Sequence, residues 1–176
     1  MNEDHPANRR IDRIRDPVFL DGLGDLPLDD VRGRRDECMA EREYLSLLRR
    51  LVQGRAEILR AELAGRGDDD QRPLVDRLSE ILASDQPVTS RGEAMRVTVP
   101  EDEMLLARRR VERLVTDAGI SDPAELDDVR LREAVEVLAA EEREVSAQRA
   151  DVLRVLDTLQ DELKRRYKED PSLALS

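Results

Sequence analysis

Residues 41–63 read EREYLSLLRRLVQGRAEILRAEL, and residues 141–163 read EEREVSAQRADVLRVLDTLQDEL. Laid side by side without a gap, they agree at Glu41/Glu141, Ser46/Ser146, Arg49/Arg149, Val52/Val152, Leu59/Leu159, Glu62/Glu162 and Leu63/Leu163. Charged helices can share Leu, Val and Glu through composition alone. A shared Ser and Arg carry more information, because they interrupt an apolar stripe. The stripe itself runs well beyond each stretch. Val31, Cys38, Leu45, Val52 and Leu59 recur every seven residues, with Leu48 and Leu63 on the same side. In the second stretch Val135, Leu138, Val145, Val152, Leu156, Leu159 and Leu163 follow spacings of three, four and seven. Such spacing is the signature of helices packed along a narrow seam.

The fold class follows: all-α, with two long helices. The first is expected over about Leu28–Ala64, ended by Gly65, Gly67 and the acidic run Asp68-Asp69-Asp70; the second runs from near Pro123 to about Lys168, stopped by Asp170-Pro171. Neither can be stable alone with one apolar stripe, so each needs the other. Economy favours an antiparallel coiled coil, although the long connection could span a parallel pair too. Shorter helices are expected at about Gln71–Ser84, through Leu74, Val75, Leu78 and Leu82, and at about Glu101–Ala118, with an extended loop over 85–100 between them. The resulting division is a disordered tail (1–15), a docking segment with the first helix (16–65), a connection with two shorter helices (66–120), the second helix (121–169) and a tail (170–176). Within the docking segment, Pro17 to Pro27 is apolar and broken by Gly and Pro. It can cap the chain's own helices or meet a partner.

Composition agrees. Of the 176 residues, 40% are charged and only 2% aromatic, which suits solvated helices rather than an α/β core. The net charge of -11 disfavours direct binding of DNA or RNA, whose proteins usually carry the opposite balance. An acidic chain can instead cover the basic face of a DNA-binding partner. A single Cys38 and a single His5 leave no disulfide and no Cys/His zinc site within one chain. No apolar run is long enough to span a bilayer, so a cytoplasmic protein is expected. No Gly-rich phosphate loop, metal cluster or nucleophile–base pair is visible, so an enzyme is not expected. Glu101, Asp102 and Glu103 open a helix, where acids suit the dipole.

The polar interruptions are the candidate site. In the second helix Glu142, Ser146, Arg149 and Asp157 fall within an arc of roughly 80° at about 100° per residue. The first helix repeats the strip as Ser46, Arg49, Gln53 and Glu57. Arginine can donate two bonds to phosphate or to guanine O6 and N7. A carboxylate can accept from the guanine N1–H and N2–H₂ edge, and Ser and Gln can reach phosphate or sugar oxygens. The alternative is purely structural: Glu142 and Arg149 pair with Arg42, Arg49 and nearby acids, fixing helix register in an adaptor coiled coil.

This strip resembles the motif of the RsiG family, also called aerial mycelium formation proteins, of sporulating actinobacteria. The family pattern E-x3-S-x2-R-x3-Q-x3-D lies on two helices of an antiparallel coiled coil. Here the second copy has Glu142, Ser146, Arg149, Leu153 in place of the polar residue, and Asp157. The first has Arg42 in the Glu position, then Ser46, Arg49, Gln53, and Glu57 for Asp. The similarity extends over Asp16 to Leu23, Arg34 to Cys38, Arg49 to Arg55, Arg109 to Val115 and Leu159 to Tyr167. It implies an anti-sigma factor of the WhiG sporulation sigma factor. It also implies a cyclic di-GMP dimer held between the two motif helices by Ser46, Arg49, Gln53, Glu57, Glu142, Ser146, Arg149 and Asp157. No metal or further cofactor is implied.

Overall fold

The computed structural model describes residues 10–67, 99–117, 119 and 123–174. Every regular element among them is helical. Helix α1 spans Arg10–Arg15, α2 Leu28–Gly67, α3 Glu101–Asp117 and α4 Asp128–Glu169. Short 3-10 turns lie at Pro17–Leu20, Leu23–Asp25, Pro123–Glu125 and Pro171–Ala174. The helix expected at Gln71–Ser84 and most of the loop at 85–100 lie outside the described residues; Val99 and Pro100 are non-helical. Among the described residues no helix is long and apolar enough to cross a membrane.

Three boundaries differ from the sequence reading. Residues 10–15, expected within a disordered tail, form α1, which buries Ile11 and Ile14. Gly65 does not end α2, which continues to Gly67. Pro123 opens a separate 3-10 turn, and α4 starts at Asp128, where the Asp127 carboxylate accepts the amide of Arg130 at 2.8 Å. That bond satisfies one of the amides every helix start leaves free.

The chain divides into two compact units. The first comprises residues 1–46 and 146–176, the second residues 47–145, so each takes one part of α2 and one part of α4. The core of the first holds Ile14, Val31, Cys38, Leu45, Val152 and Leu159, and that of the second Leu48, Val52, Leu59, Leu131, Leu138 and Val145. All five heptad positions of α2 are therefore buried. Val135 is only half-buried; Leu131 and Ala134 take the seam there.

The two units are built from matching parts, shifted by 100 residues. Buried Val31, Cys38, Leu45, Val52 and Leu59 correspond to buried Leu131, Leu138, Val145, Val152 and Leu159. In the first unit Arg10 of α1 donates to Glu41 at 2.6 Å; in the second Arg110 of α3 donates to Glu141 at 2.9 Å. In the first, Arg166 donates to the carbonyls of Leu23, Gly24 and Leu26 and to Glu162. In the second, Arg66 donates to the carbonyls of Pro123, Ala124 and Leu126 and to Glu62. The repeat thus extends over 10–67 and 110–167, well beyond the matching stretches of sequence.

The segment 17–27 caps the first unit's own helices. Asp16 accepts the amide of Val18, Phe19 is buried, and the Arg34 guanidinium lies 5.4 Å over the Phe19 ring while donating to the Phe19 carbonyl. Cys38 has no exposed surface, and burial pushes its thiol up to about 12, with Glu37 and Glu41 adding to the rise. A thiolate is the reactive form. Cys38 is therefore expected not to react with an aromatic disulfide reagent at pH 8 in the folded protein, and to react stoichiometrically in denaturant. Prompt reaction of the native protein would contradict that burial.

Candidate functional site

The first unit places Ser46 on α2 beside Arg149 on α4. The Ser46 hydroxyl donates to the Arg42 carbonyl one turn back at 2.7 Å and accepts from Arg149 Nε at 3.0 Å. Both side chains are half-buried. With Nε engaged, the two terminal amino groups of Arg149 remain as a planar fork, the geometry that grips phosphate or guanine bidentately. Arg42 does not cross to α4. Its Nε and Nη2 turn onto the neighbouring Glu43 at 3.1 and 2.8 Å.

The second unit gathers Arg49, Gln53 and Glu142. Gln53 Nε2 donates to Glu142 Oε1 at 2.5 Å, and Arg49 Nε stands 3.6 Å from the same oxygen. At that distance Arg49 makes an ion pair without a hydrogen bond, and its Nε is buried with no acceptor in reach. A buried donor left this way costs free energy that a better-placed acceptor would recover. The contact is half-exposed, so its own contribution to stability is small, about 0–1 kcal/mol.

These contacts unite five of the eight expected residues: Ser46 with Arg149, and Arg49 and Gln53 with Glu142. The other three make no side-chain hydrogen bond or ion pair with another described residue. Glu57 is half-buried and lines a cleft between α2 and α3, Ser146 is half-buried, and Asp157 is exposed. The 100-residue correspondence shows why the clusters differ. The partners Gln53 and Glu142 map onto Leu153 and Arg42, which cannot form the same hydrogen bond.

Sequence reasoning missed two features near these clusters. Glu41 is 4% exposed and bonded to Arg10, a buried charge satisfied by a helix the sequence did not suggest. Its identity with Glu141 was the available signal. The α2–α3 cleft was also missed; Gly54 in mid-helix, beside Leu51 and Ile58, was the sign of it.

Residues 17–82 match the family model described as RsiG-like. Over this stretch the chain resembles that family. The match covers the segment that caps the first unit, all of α2 and, within it, the motif copy Ser46, Arg49, Gln53 and Glu57. The second copy, on α4, lies beyond the matched residues and rests on its correspondence with the first. No curated protein matches the chain.

Proposed function

We propose that this RsiG-like chain is an anti-sigma factor that binds cyclic di-GMP, as a dimer, between the motif helices α2 and α4. The bound form captures a WhiG-type sigma factor and so controls sporulation genes. The observation that carries the reading is Arg149. Its Nε is anchored by Ser46, and the rest of its guanidinium is left to receive an anion or a guanine edge. The RsiG-like match over the first motif copy supports it.

An antiparallel coiled coil suits this role, and the pairings favour it. In the first unit Arg32 Nε donates to the Tyr167 hydroxyl while Ser46 meets Arg149; in the second Gln53 meets Glu142 while Arg66 meets Asp128. In each unit, higher numbers on α2 meet lower numbers on α4. Arg149 and Arg49 take guanine or phosphate in this reading. Glu57 and Asp157 read guanine edges, while Ser46, Ser146, Gln53 and Glu142 support them. The protein acts by holding a partner rather than by catalysis, and its charge of -11 suits a basic sigma factor.

One observation favours a second reading, an adaptor coiled coil without nucleotide. Glu142 is already occupied by Gln53 and Arg49, as register-fixing charges would be. Titration calorimetry with cyclic di-GMP, alone and in the presence of a purified WhiG-type sigma factor, separates the two. Saturable heat with two nucleotides per chain, absent with cyclic di-AMP, is the expected result. No heat in either titration, from protein with normal helical circular dichroism, leaves the adaptor reading standing.

A further inference from the structure

The second unit carries a cleft that shares only Glu57 with the nucleotide reading. It lies between α2 and α3, has a volume of about 500 Å³, and is floored by Leu51, Gly54, Ile58, Val111 and Val115. Gly54 is decisive. Glycine inside a helix costs stability relative to alanine, yet a Cβ placed there meets nothing within 4 Å. The fold does not need the missing side chain; its absence keeps the cleft open. Cavities of this size are where proteins commonly lodge a ligand or an anchoring side-chain cluster.

From these features we infer that the cleft is a docking site for one amphipathic helix of the captured sigma factor, with an apolar edge flanked by carboxylates. This rests on the anti-sigma reading and names a contact surface for it. Three observations select the occupant. The lining covers residues 50–58 of α2 and 108–115 of α3, about two helical turns each, which matches an edge presenting anchors at i, i+3/i+4 and i+7. The apolar surface continues along α3 to Leu105, which is 45% exposed and lies on the stripe of Arg108, Glu112 and Val115. In a chain of net charge -11, the cleft is lined by Arg50, Arg55 and Arg108 against Glu57 and Glu112, and Arg55 and Arg108 make no ion pair with another described residue. A local excess of guanidinium around an apolar floor complements an acid-flanked helix.

The test is binding of a purified WhiG-type sigma factor to the full chain and its variants, with cyclic di-GMP titrated in parallel. Gly54→Leu fills the cleft without touching the backbone. It is expected to melt no lower than wild type, to keep cyclic di-GMP affinity within twofold, and to bind the sigma factor at least tenfold more weakly. Arg55→Glu combined with Arg108→Glu is expected to weaken sigma binding by a similar factor, and Arg132→Glu, outside the cleft, to leave it unchanged. Unaltered sigma binding in Gly54→Leu and in the double variant overturns the docking site while the anti-sigma reading stands. Failure of the wild-type chain to bind the sigma factor overturns both. A clear drop in the melting temperature of Gly54→Leu means the cleft is already filled in the free protein, and a parallel loss of cyclic di-GMP affinity means the nucleotide fills it. Either outcome overturns the proposal.

Discussion

Arg149→Ala is expected to weaken cyclic di-GMP binding by one to two orders of magnitude while leaving the melting temperature almost unchanged. The two halves of that expectation have separate causes. A hydrogen bond to a charged group is worth about 1.5–3 kcal/mol. A factor of ten corresponds to about 1.4 kcal/mol, so losing one such contact alone gives roughly 10- to 150-fold. The folded protein loses little. Arg149 makes one hydrogen bond, to Ser46, and Ser46 keeps its bond to the Arg42 carbonyl. An adaptor coiled coil predicts the reverse pattern: lower stability, and no ligand to lose. Calorimetry and thermal melts on one preparation therefore decide between them. Ser46→Ala sharpens the test. It removes the anchor but not the guanidinium, so affinity is expected to fall by less than in Arg149→Ala, through loss of preorganisation.

How much of this was visible in the sequence depends on the physical carrier. Burial at seven-residue spacing is written directly into side-chain polarity, so Val31, Cys38, Leu45, Val52 and Leu59 were legible as a seam. The six-residue α1 offers only Ile11 and Ile14, too few for a periodic signal, and it is stabilised by tertiary contact and the Arg10–Glu41 pair. The full extent of the duplication was hidden for a different reason. Arg66 and Arg166 donate to main-chain carbonyls, and a carbonyl has no residue identity to align. Within the site, Ser46 and Arg149 were legible as members of two polar strips, but their pairing was not, because the sequence set Arg149 against nearby acids. The Gln53–Glu142 bond was not legible either, because both of its partners are replaced in the other copy, by Leu153 and Arg42. The sequence offered Glu142 a choice of Arg42 or Arg49. Arg42 went instead to its neighbour Glu43, and Glu142 took Gln53 with Arg49 behind it. Local competition of this kind turns on rotamers and distances of a few tenths of an ångström, which sequence spacing does not encode.

Arg166→Ala is expected to be the costliest single change at a charged residue, lowering stability by about 2–3 kcal/mol, or roughly 4–12 °C for a chain of this size. Its side chain is 12% exposed and ties α4 to three carbonyls of the 23–26 segment. Removing it leaves all three acceptors without their donor, two of them in part-buried contacts. Arg66→Ala removes the matching device in the second unit, but from a side chain 26% exposed, so the loss there is expected to be smaller. The pH dependence follows from Glu162, held down to about 2 by hydrogen bonds from Arg165 first and Arg166 second. A carboxyl lowered from its ordinary 4.5 stabilises the fold fully above that value, progressively less as pH falls, and not at all once it is protonated in both states, below pH 2. The gap in melting temperature between wild type and Arg166→Ala is thus expected to be constant from pH 7 to about 5 and to narrow between pH 4.5 and 2. It should not close, because the carbonyl contacts do not titrate, and the narrowing is partial because Arg165 holds Glu162 in both proteins. A gap independent of pH over that range would show that the carbonyls alone account for the role of Arg166.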